Sequence, residues 1–307
     1  MARLEQNNQK GRGQMPPVSK MLIIHAQVTQ EVSDHYNIIK RLGQGTFGKV
    51  LLAQDKKTGE PVAIKLVRKD RIALKDFVKE LSISISLSGY HGIIATYPMF
   101  YNTMDYYIMT QELATAGTLH HLIKAKVGIP EDAVKRCAAQ LSTALDYVHG
   151  RGLVHMDLKP DNVFLMDRDC YNIKLGDFGL TRKAGSFVSS KSNIIPYMSP
   201  EMCDVKQNEF LILSPSVDTW ALGVLLYIAL TGYMPWKKAV EMDTRYQVYM
   251  HWQKHVGLIP PPVFWQKFTR EALDMFNNLL SRNCSARPSV LCVLNYLHYP
   301  WKIQHHY

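Results

Sequence analysis

Between Tyr36 and about Ala114 short apolar stretches are separated by turn residues, and beyond Ala114 the apolar positions recur with helical spacing. Tyr36–Leu42 reads as a strand leading into a glycine turn, with Lys49–Gln54 as its partner. Pro61–Val67 follows as a third strand, after turn chemistry in Asp55–Glu60 around Thr58-Gly59. Tyr106–Glu112 is a further apolar strand. Between them Leu74, Phe77, Val78, Leu81 and Ile85 fall at helical spacing, although Leu81–Ser88 also alternates apolar residues with serine, which is a strand signal. Pro130-Glu131-Asp132 opens a helix to His149, with acids in its first turn that suit the helix dipole. Ser214-Pro215 opens another over Val217–Leu230. The pattern predicts an α+β, bilobal chain. A flexible arm covers residues 1–34, a small sheet-rich lobe 35–112, a hinge 113–117, a larger helical lobe 118–303 and a short tail 304–307.

Composition narrows this picture without changing it. At 307 residues, 47% hydrophobic and 20% charged, the chain can bury a large core. The formal charge of +10 is more unusual, and its densest stretch is Lys65, Arg68, Lys69, Arg71, Lys75 and Lys79. A solvated helix face or a docking surface for an acidic partner both account for it; no nucleic-acid module accompanies the charge, so none is expected to bind. Cys137, Cys170, Cys203, Cys284 and Cys292 are widely spaced with no metal-ligand pattern, which predicts reduced thiols and a cytoplasmic setting. The N-terminal region lacks the apolar core of a signal peptide, and the longest apolar run, Trp220–Leu230, falls short of the ~20 residues that span a bilayer. No membrane association is expected.

Chemistry enters with six motifs in fixed order: Gly43–Val50 (GQGTFGKV), Val62–Lys65 (VAIK), His155–Asn162 (HMDLKPDN), Asp177–Gly179 (DFG), Ser199–Glu201 (SPE) and Asp218–Gly223 (DTWALG). Glycines at 43, 45 and 48 let backbone amides approach phosphate oxygens with no side chain between. A Walker loop fails here, because Val50 stands where that motif needs a hydroxyl and strands flank both sides. Glu80, on the helix 15 residues after Lys65, is the natural partner for that strand lysine. Asp157 and Asn162 are spaced to supply a carboxylate that takes a hydroxyl proton and an amide oxygen for magnesium. Lys159 can offset charge on a transferring phosphate, Asp177 supplies a second metal ligand, and Phe178 packs inward.

On these motifs the chain resembles a eukaryotic protein kinase from about Tyr36 to Trp301, and Asp-Leu-Lys-Pro-Asp-Asn at Asp157–Asn162 resembles the serine/threonine branch. His35-Tyr36, Pro130–Cys137, Leu145–His155 and Asp167–Gly185 are similar to the Src-homology-3-binding kinase group. The resemblance implies the bilobal kinase fold, ATP and magnesium, and a protein substrate. It implies that Leu42, Gly43, Gln44, Gly45, Thr46, Phe47, Gly48, Lys49 and Val50 cover the nucleotide, with Ala63 above the adenine. Phe164 lies below it or simply packs in the core. Glu112 and Ala114 would bond adenine through their backbone, and Gln111 would guard the pocket behind. Gly179 belongs to the same DFG motif, Glu201 would pair with Arg287, and Asp218 would hold the catalytic loop from below.

Several positions depart from the family pattern. Met156 replaces the arginine that ordinarily meets a phosphate on the activation segment, so activity is expected not to depend on phosphorylation there. That segment nevertheless holds Ser186, Ser189, Ser190 and Ser192. Ile194 replaces a threonine that steadies the catalytic pair, Ser199 replaces alanine, and Ser84 is polar where an apolar contact is usual. These changes motivate an alternative, a weak or inactive kinase-fold scaffold that binds nucleotide. A small-molecule kinase is a third reading, against which Ser199-Pro200-Glu201 argues. No Pro-x-x-Pro occurs, so binding to Src-homology-3 domains is unsupported, and Thr118 removes one hint of preference for basic substrates.

Overall fold

The computed structural model describes residues 32–189, 196–206 and 209–303; the arm over 1–31 and the tail over 304–307 lie outside the described residues. The last part of the expected arm is helical instead. In α1 (Val32–His35) the Ser33 carbonyl accepts from Lys56 Nζ, and the partly buried Val32 packs against the cluster of Tyr36 and Tyr101, which ties this turn to the sheet.

The small lobe is one antiparallel sheet with a helix on it. Strands β1 (Tyr36–Gly45), β2 (Gly48–Asp55) and β3 (Pro61–Arg68) are followed by α2 (Leu74–Leu87), β4 (Thr96–Asn102) and β5 (Tyr106–Glu112), in the spatial order β1-β2-β3-β5-β4. The β2–β3 turn forms as its residues dictate: Asp55 Oδ1 accepts from the amides of Lys57 and Thr58, and Gly59 takes φ +77°. Helix α2 runs straight through the serine-alternating stretch. Ser82, Ser86 and Ser88 donate back to the carbonyls of Val78, Ile83 and Ser84, so the hydroxyls are satisfied inside the helix. Its buried face, Phe77, Val78 and Leu81, packs on Val67, Phe100 and Met109.

The large lobe begins with α3 (Leu119–Leu122) and α4 (Glu131–His149), then the short strands β6 (Leu153–Val154), β7 (Val163–Leu165), β8 (Ile173–Leu175), β9 (Arg182–Lys183) and β10 (Phe187–Ser189). After α5 (Pro200–Cys203) and β11 (Phe210–Ile212) come α6 (Ser216–Thr231), α7 (Thr244–Lys254) and α8 (Arg270–Leu279). Every residue of α6 from Val217 to Thr231 is buried, the signature of a helix apolar all round and surrounded by others. Its end is sharp: Gly232 takes φ +68°, where a Cβ would sit 2.3 Å from the Lys124 carbonyl oxygen. Among the described residues no helix is long and apolar enough to cross a membrane.

The lobes meet in a braced junction. Ile94 donates to the Leu175 carbonyl (2.9 Å), and Leu175 to that of Gly92 (2.8 Å), joining the turn after α2 to β8. Lys174 of β8 holds the Glu112 carboxylate at 2.7 and 2.8 Å, while that carboxylate also accepts from the Ala95 amide (2.6 Å).

Candidate active site

The glycine turn closes β1 against β2 with Gly45 opposite Gly48, leaving Thr46 and Phe47 exposed at the tip. A Cβ on Gly48 would lie 1.8 Å from the Leu66 carbonyl oxygen, so β3 approaches too closely for any other residue. At Gly43 and Gly45 a Cβ would face open space instead. Gln44 accepts from Arg41 (2.7 Å), and Leu42 is exposed. The Lys49 ammonium lies 5.2 Å from the Tyr106 ring centroid, engaging its charge there. Val50 stands opposite Lys65 in the β2–β3 register, and Ala63 opposite Leu52.

Lys65 is the centre of the charge arrangement. Its Nζ lies 2.6 Å from Glu80 Oε1 and 3.1 Å from Asp177 Oδ1, which brings β3, α2 and the DFG turn to one point. Burial alone would lower the Lys65 pKa, but Glu80 and then Asp177 outweigh it and hold the ammonium charged. Lys65 in turn lowers the Asp177 carboxyl below its ordinary range. Asp177 adopts φ +60°, an uncommon conformation for a non-glycine residue, and Phe178 is buried edge-on to His155 at 5.2 Å.

Asp218, at the start of α6, organises the catalytic loop. Its fully buried carboxylate accepts from the amides of His155 (2.7 Å) and Met156 (2.9 Å) and from His149 Nε2 (2.8 Å). Burial pushes its pKa up, but the His149 hydrogen bond and charge, with those of the loop, leave it lowered. Met156 is held at φ +67° by this bonding. His155 Nε2 donates to the Gly176 carbonyl (3.1 Å) and its Nδ1 accepts from the Asp157 amide (3.2 Å), which fixes one tautomer and joins the catalytic loop to the DFG strand. Asp157 Oδ2 then accepts from Lys159 Nζ (2.8 Å) and Asn162 Nδ2 (3.0 Å), and Asn162 Nδ2 also donates to the Asp157 carbonyl (2.7 Å). His149 and His155 were not singled out from the sequence as site residues. Their only signal was proximity to Asp157, since their partner Asp218 is more than sixty residues away.

Where the adenine is expected, the Glu112 amide donates to the Ala95 carbonyl (2.9 Å). Ala114 lies in the hinge, where its carbonyl accepts from Gly117 (3.3 Å). Gln111 Nε2 donates to Thr96 Oγ1 (2.9 Å) behind them. Phe164, partly exposed in β7, lies against Gly176, where a Cβ would meet its ring at 2.7 Å.

The segment after Gly179 is held by strands and apolar contact. β9 pairs with β6, and β10 pairs with β11 through Phe187–Ile212, Val188–Leu211 and Ser189–Phe210. Met156, Val188, Met198 and Leu211 pack on a buried cluster of Val154, Met202, Leu213 and Val217. The side chain standing where the family has arginine is thus part of an apolar seam. Glu201 pairs in two-pronged fashion with buried Arg287 (2.6 and 2.7 Å), whose guanidinium also lies over Trp220. The Ser199 hydroxyl is buried without a hydrogen-bond partner, and Ser84 is buried within α2. Ser190, Ser192 and Ile194 lie outside the described residues.

A cleft of about 990 Å³ joins the glycine turn, Lys65, Glu80, Asp157, Lys159 and Asp177. Among the described residues no group of three or more His, Cys, Asp or Glu could hold a metal ion. The oxygens of Asn162 and Asp177 nevertheless fit magnesium, which binds through one or two protein oxygens together with substrate phosphates.

The family model "Protein kinase domain" matches residues 36–301. The chain is 42% identical over 274 residues to serine/threonine-protein kinase SBK1 of Danio rerio, covering 89% of this chain and 71% of that protein. It is 37% identical over 298 residues to serine/threonine-protein kinase SBK2 of Homo sapiens, covering 96% and 86%. It is 34% identical over 271 residues to serine/threonine-protein kinase meng-po of Drosophila melanogaster, covering 88% and 59%.

Proposed function

The chain belongs to the protein kinase family and is a serine/threonine protein kinase, and from that premise we propose how its residues move the terminal phosphoryl group of ATP to a protein hydroxyl. The observation that carries this reading is the convergence of Lys65, Glu80 and Asp177 within 3.1 Å, in the cleft that Asp157 also lines. The reaction needs position and charge more than covalent chemistry, and these residues supply both. Lys65, kept charged by its two carboxylates, steadies the α- and β-phosphates. The amides of Gly43–Gly48 cover them, with Leu42, Val50 and Ala63 above the adenine, Phe164 below and the hinge residues Glu112 and Ala114 at its edge.

Asp157 binds Lys159 and Asn162 through Oδ2, which leaves Oδ1 to orient the acceptor hydroxyl and take its proton. Lys159 offsets charge spread over the transferring group. Asn162 donates to Asp157 through Nδ2, so its Oδ1, together with Asp177 Oδ2, would hold magnesium, which neutralises phosphate charge when bound. The Glu201–Arg287 pair anchors the segment on which a protein substrate would lie. Five cysteines without disulfides support a reducing, cytoplasmic setting.

The test is transfer from labelled ATP, with magnesium, to a mixed peptide library, run beside a nucleotide-binding measurement. Wild type should label serine or threonine, and Asp157→Asn should lower turnover by about two to four orders of magnitude while still binding ATP. Equal transfer by the two proteins would remove Asp157 from the mechanism. Nucleotide binding by wild type with no transfer would favour the scaffold motivated by Met156, Ile194 and Ser84.

A further inference from the structure

The ribbon of β10 and β11 is largely apolar on both faces, and only one of them is covered. Phe187 lies opposite Ile212, Val188 opposite Leu211 and Ser189 opposite Phe210. Opposed residues share a face and successive residues alternate, so Val188 and Leu211 point one way, and Phe187, Ser189, Phe210 and Ile212 the other. Val188 and Leu211 pack into the seam with Met156 and Met198. The second face is open: Phe187 is 71% exposed, Phe210 68% and Ile212 61%. These three side chains together present on the order of 400 Å², as large as the principal apolar patch of an ordinary monomer. The strands do not require them, since Ser189 on the same face shows that the ribbon forms around a polar residue there.

The position of the ribbon points to what covers it. Met156, Met198, Met202 and Val217 belong to the seam and also line the cleft that holds Asp157, so one apolar layer backs the ribbon and borders the site of transfer. The backbone ladder continues past the strands: Gly185 donates to the Leu213 carbonyl (2.8 Å) and Leu213 to that of Ser186 (2.9 Å), which braces the ribbon. Two copies meeting through this face would bury on the order of 800 Å², short of the ~1,200 Å² of a stable specific interface. A patch of that size suits a partner that is held at a second point as well. A protein substrate, gripped by its acceptor hydroxyl in the adjoining cleft, is such a partner. Among the described residues neither strand pairs with a third, so an extended chain can add at the ribbon's edge and lay alternate side chains on the open face. We infer that Phe187, Phe210 and Ile212 dock an extended apolar segment of the protein substrate, outside the residues that flank its acceptor hydroxyl. The inference rests on the kinase reading above and extends it to a second point of substrate contact.

The experiment uses the full chain and two peptides that share one acceptor serine. In the first, a glycine–serine linker joins the acceptor to a segment alternating phenylalanine with threonine, which puts the aromatic rings on one face of an added strand. In the second, serine replaces each phenylalanine. Linkers of several lengths are compared, because the gain depends on spanning the two points. For wild type, KM should be about five- to thirtyfold lower for the apolar peptide at the best length, with kcat unchanged. Phe210→Thr and Ile212→Thr keep strand-forming residues, and they should erase that gain while leaving both constants for the polar peptide as in wild type. Phe210→Leu should keep the gain. The phenylalanine–threonine segment added by itself should compete with the apolar peptide and not with the polar one. Equal KM values in wild type at every length, or a gain that survives in the Phe210→Thr/Ile212→Thr double variant, would overturn the inference while the kinase reading stands. Equal losses of kcat on both peptides in the variants would make the face structural and overturn it too. Self-association of wild type in sedimentation, abolished in the double variant and with no difference in KM, would assign the face to a second copy instead. Labelling of neither peptide would overturn both readings.

Discussion

Asp218 touches no reacting atom, yet the catalytic loop takes its shape from this one carboxylate. Two amides and one imidazole converge on it, and they set the positive-φ turn at Met156 just before Asp157. Replacing it with asparagine keeps the size but loses the charge and turns a donor toward donors, which should cost about 3 kcal/mol of stability, in the range for breaking a buried charged network. The pH dependence follows from the direction of its shift. The folded pKa lies below the ordinary 3.8, so the stabilisation is complete above that value and is lost as pH falls through the folded value. Urea unfolding of wild type and Asp218→Asn should therefore show its largest gap near neutrality, narrowing below pH 3.8. A gap that stays constant into acid would mean the carboxylate is not the source.

At the scale of elements, the β1–β2 hairpin depends on the contact between Gly48 and the third strand. Gly48→Ala places a methyl into the Leu66 carbonyl, and the strands must part, at a cost of about 1–3 kcal/mol. Both the thermal midpoint and ATP affinity should fall, whereas Gly43→Ala, facing open space, should leave the midpoint nearly unchanged. Much of this architecture was legible in the sequence, because β1, β2, β3, β5, α4 and α6 each carry their own period and punctuation. Strand β4 was not: Pro98 lies within it, its buried positions do not alternate, and its register against β5 shifts between Thr96 and Phe100. The ion pair Lys65–Glu80 could be read from the strand lysine and the helix that follows it, and Glu201–Arg287 from the resemblance to the kinase family. The roles of His149 and His155, and the seam around Met156, depend on side chains brought together by the folding of distant segments, and no local pattern announces them.

Across the whole molecule, the activation segment is fastened to the large lobe at several points: β9 to β6, β10 to β11, the Met156 seam and the Glu201–Arg287 pair. None of these needs an added phosphate. Activity before and after phosphatase treatment should agree within about twofold, with mass spectrometry confirming dephosphorylation; a tenfold loss, equivalent to about 1.4 kcal/mol, would show that a phosphate does part of the fastening. The Gln111–Thr96 hydrogen bond bears on a different question, the design of inhibitors. On the proposed nucleotide pose it draws an amide across the rear of the adenine region and joins it to a hydroxyl that is 4% exposed. A compound that pushes a ring beyond the adenine must displace that amide and strand the threonine, whereas one that stops short of it leaves the latch shut.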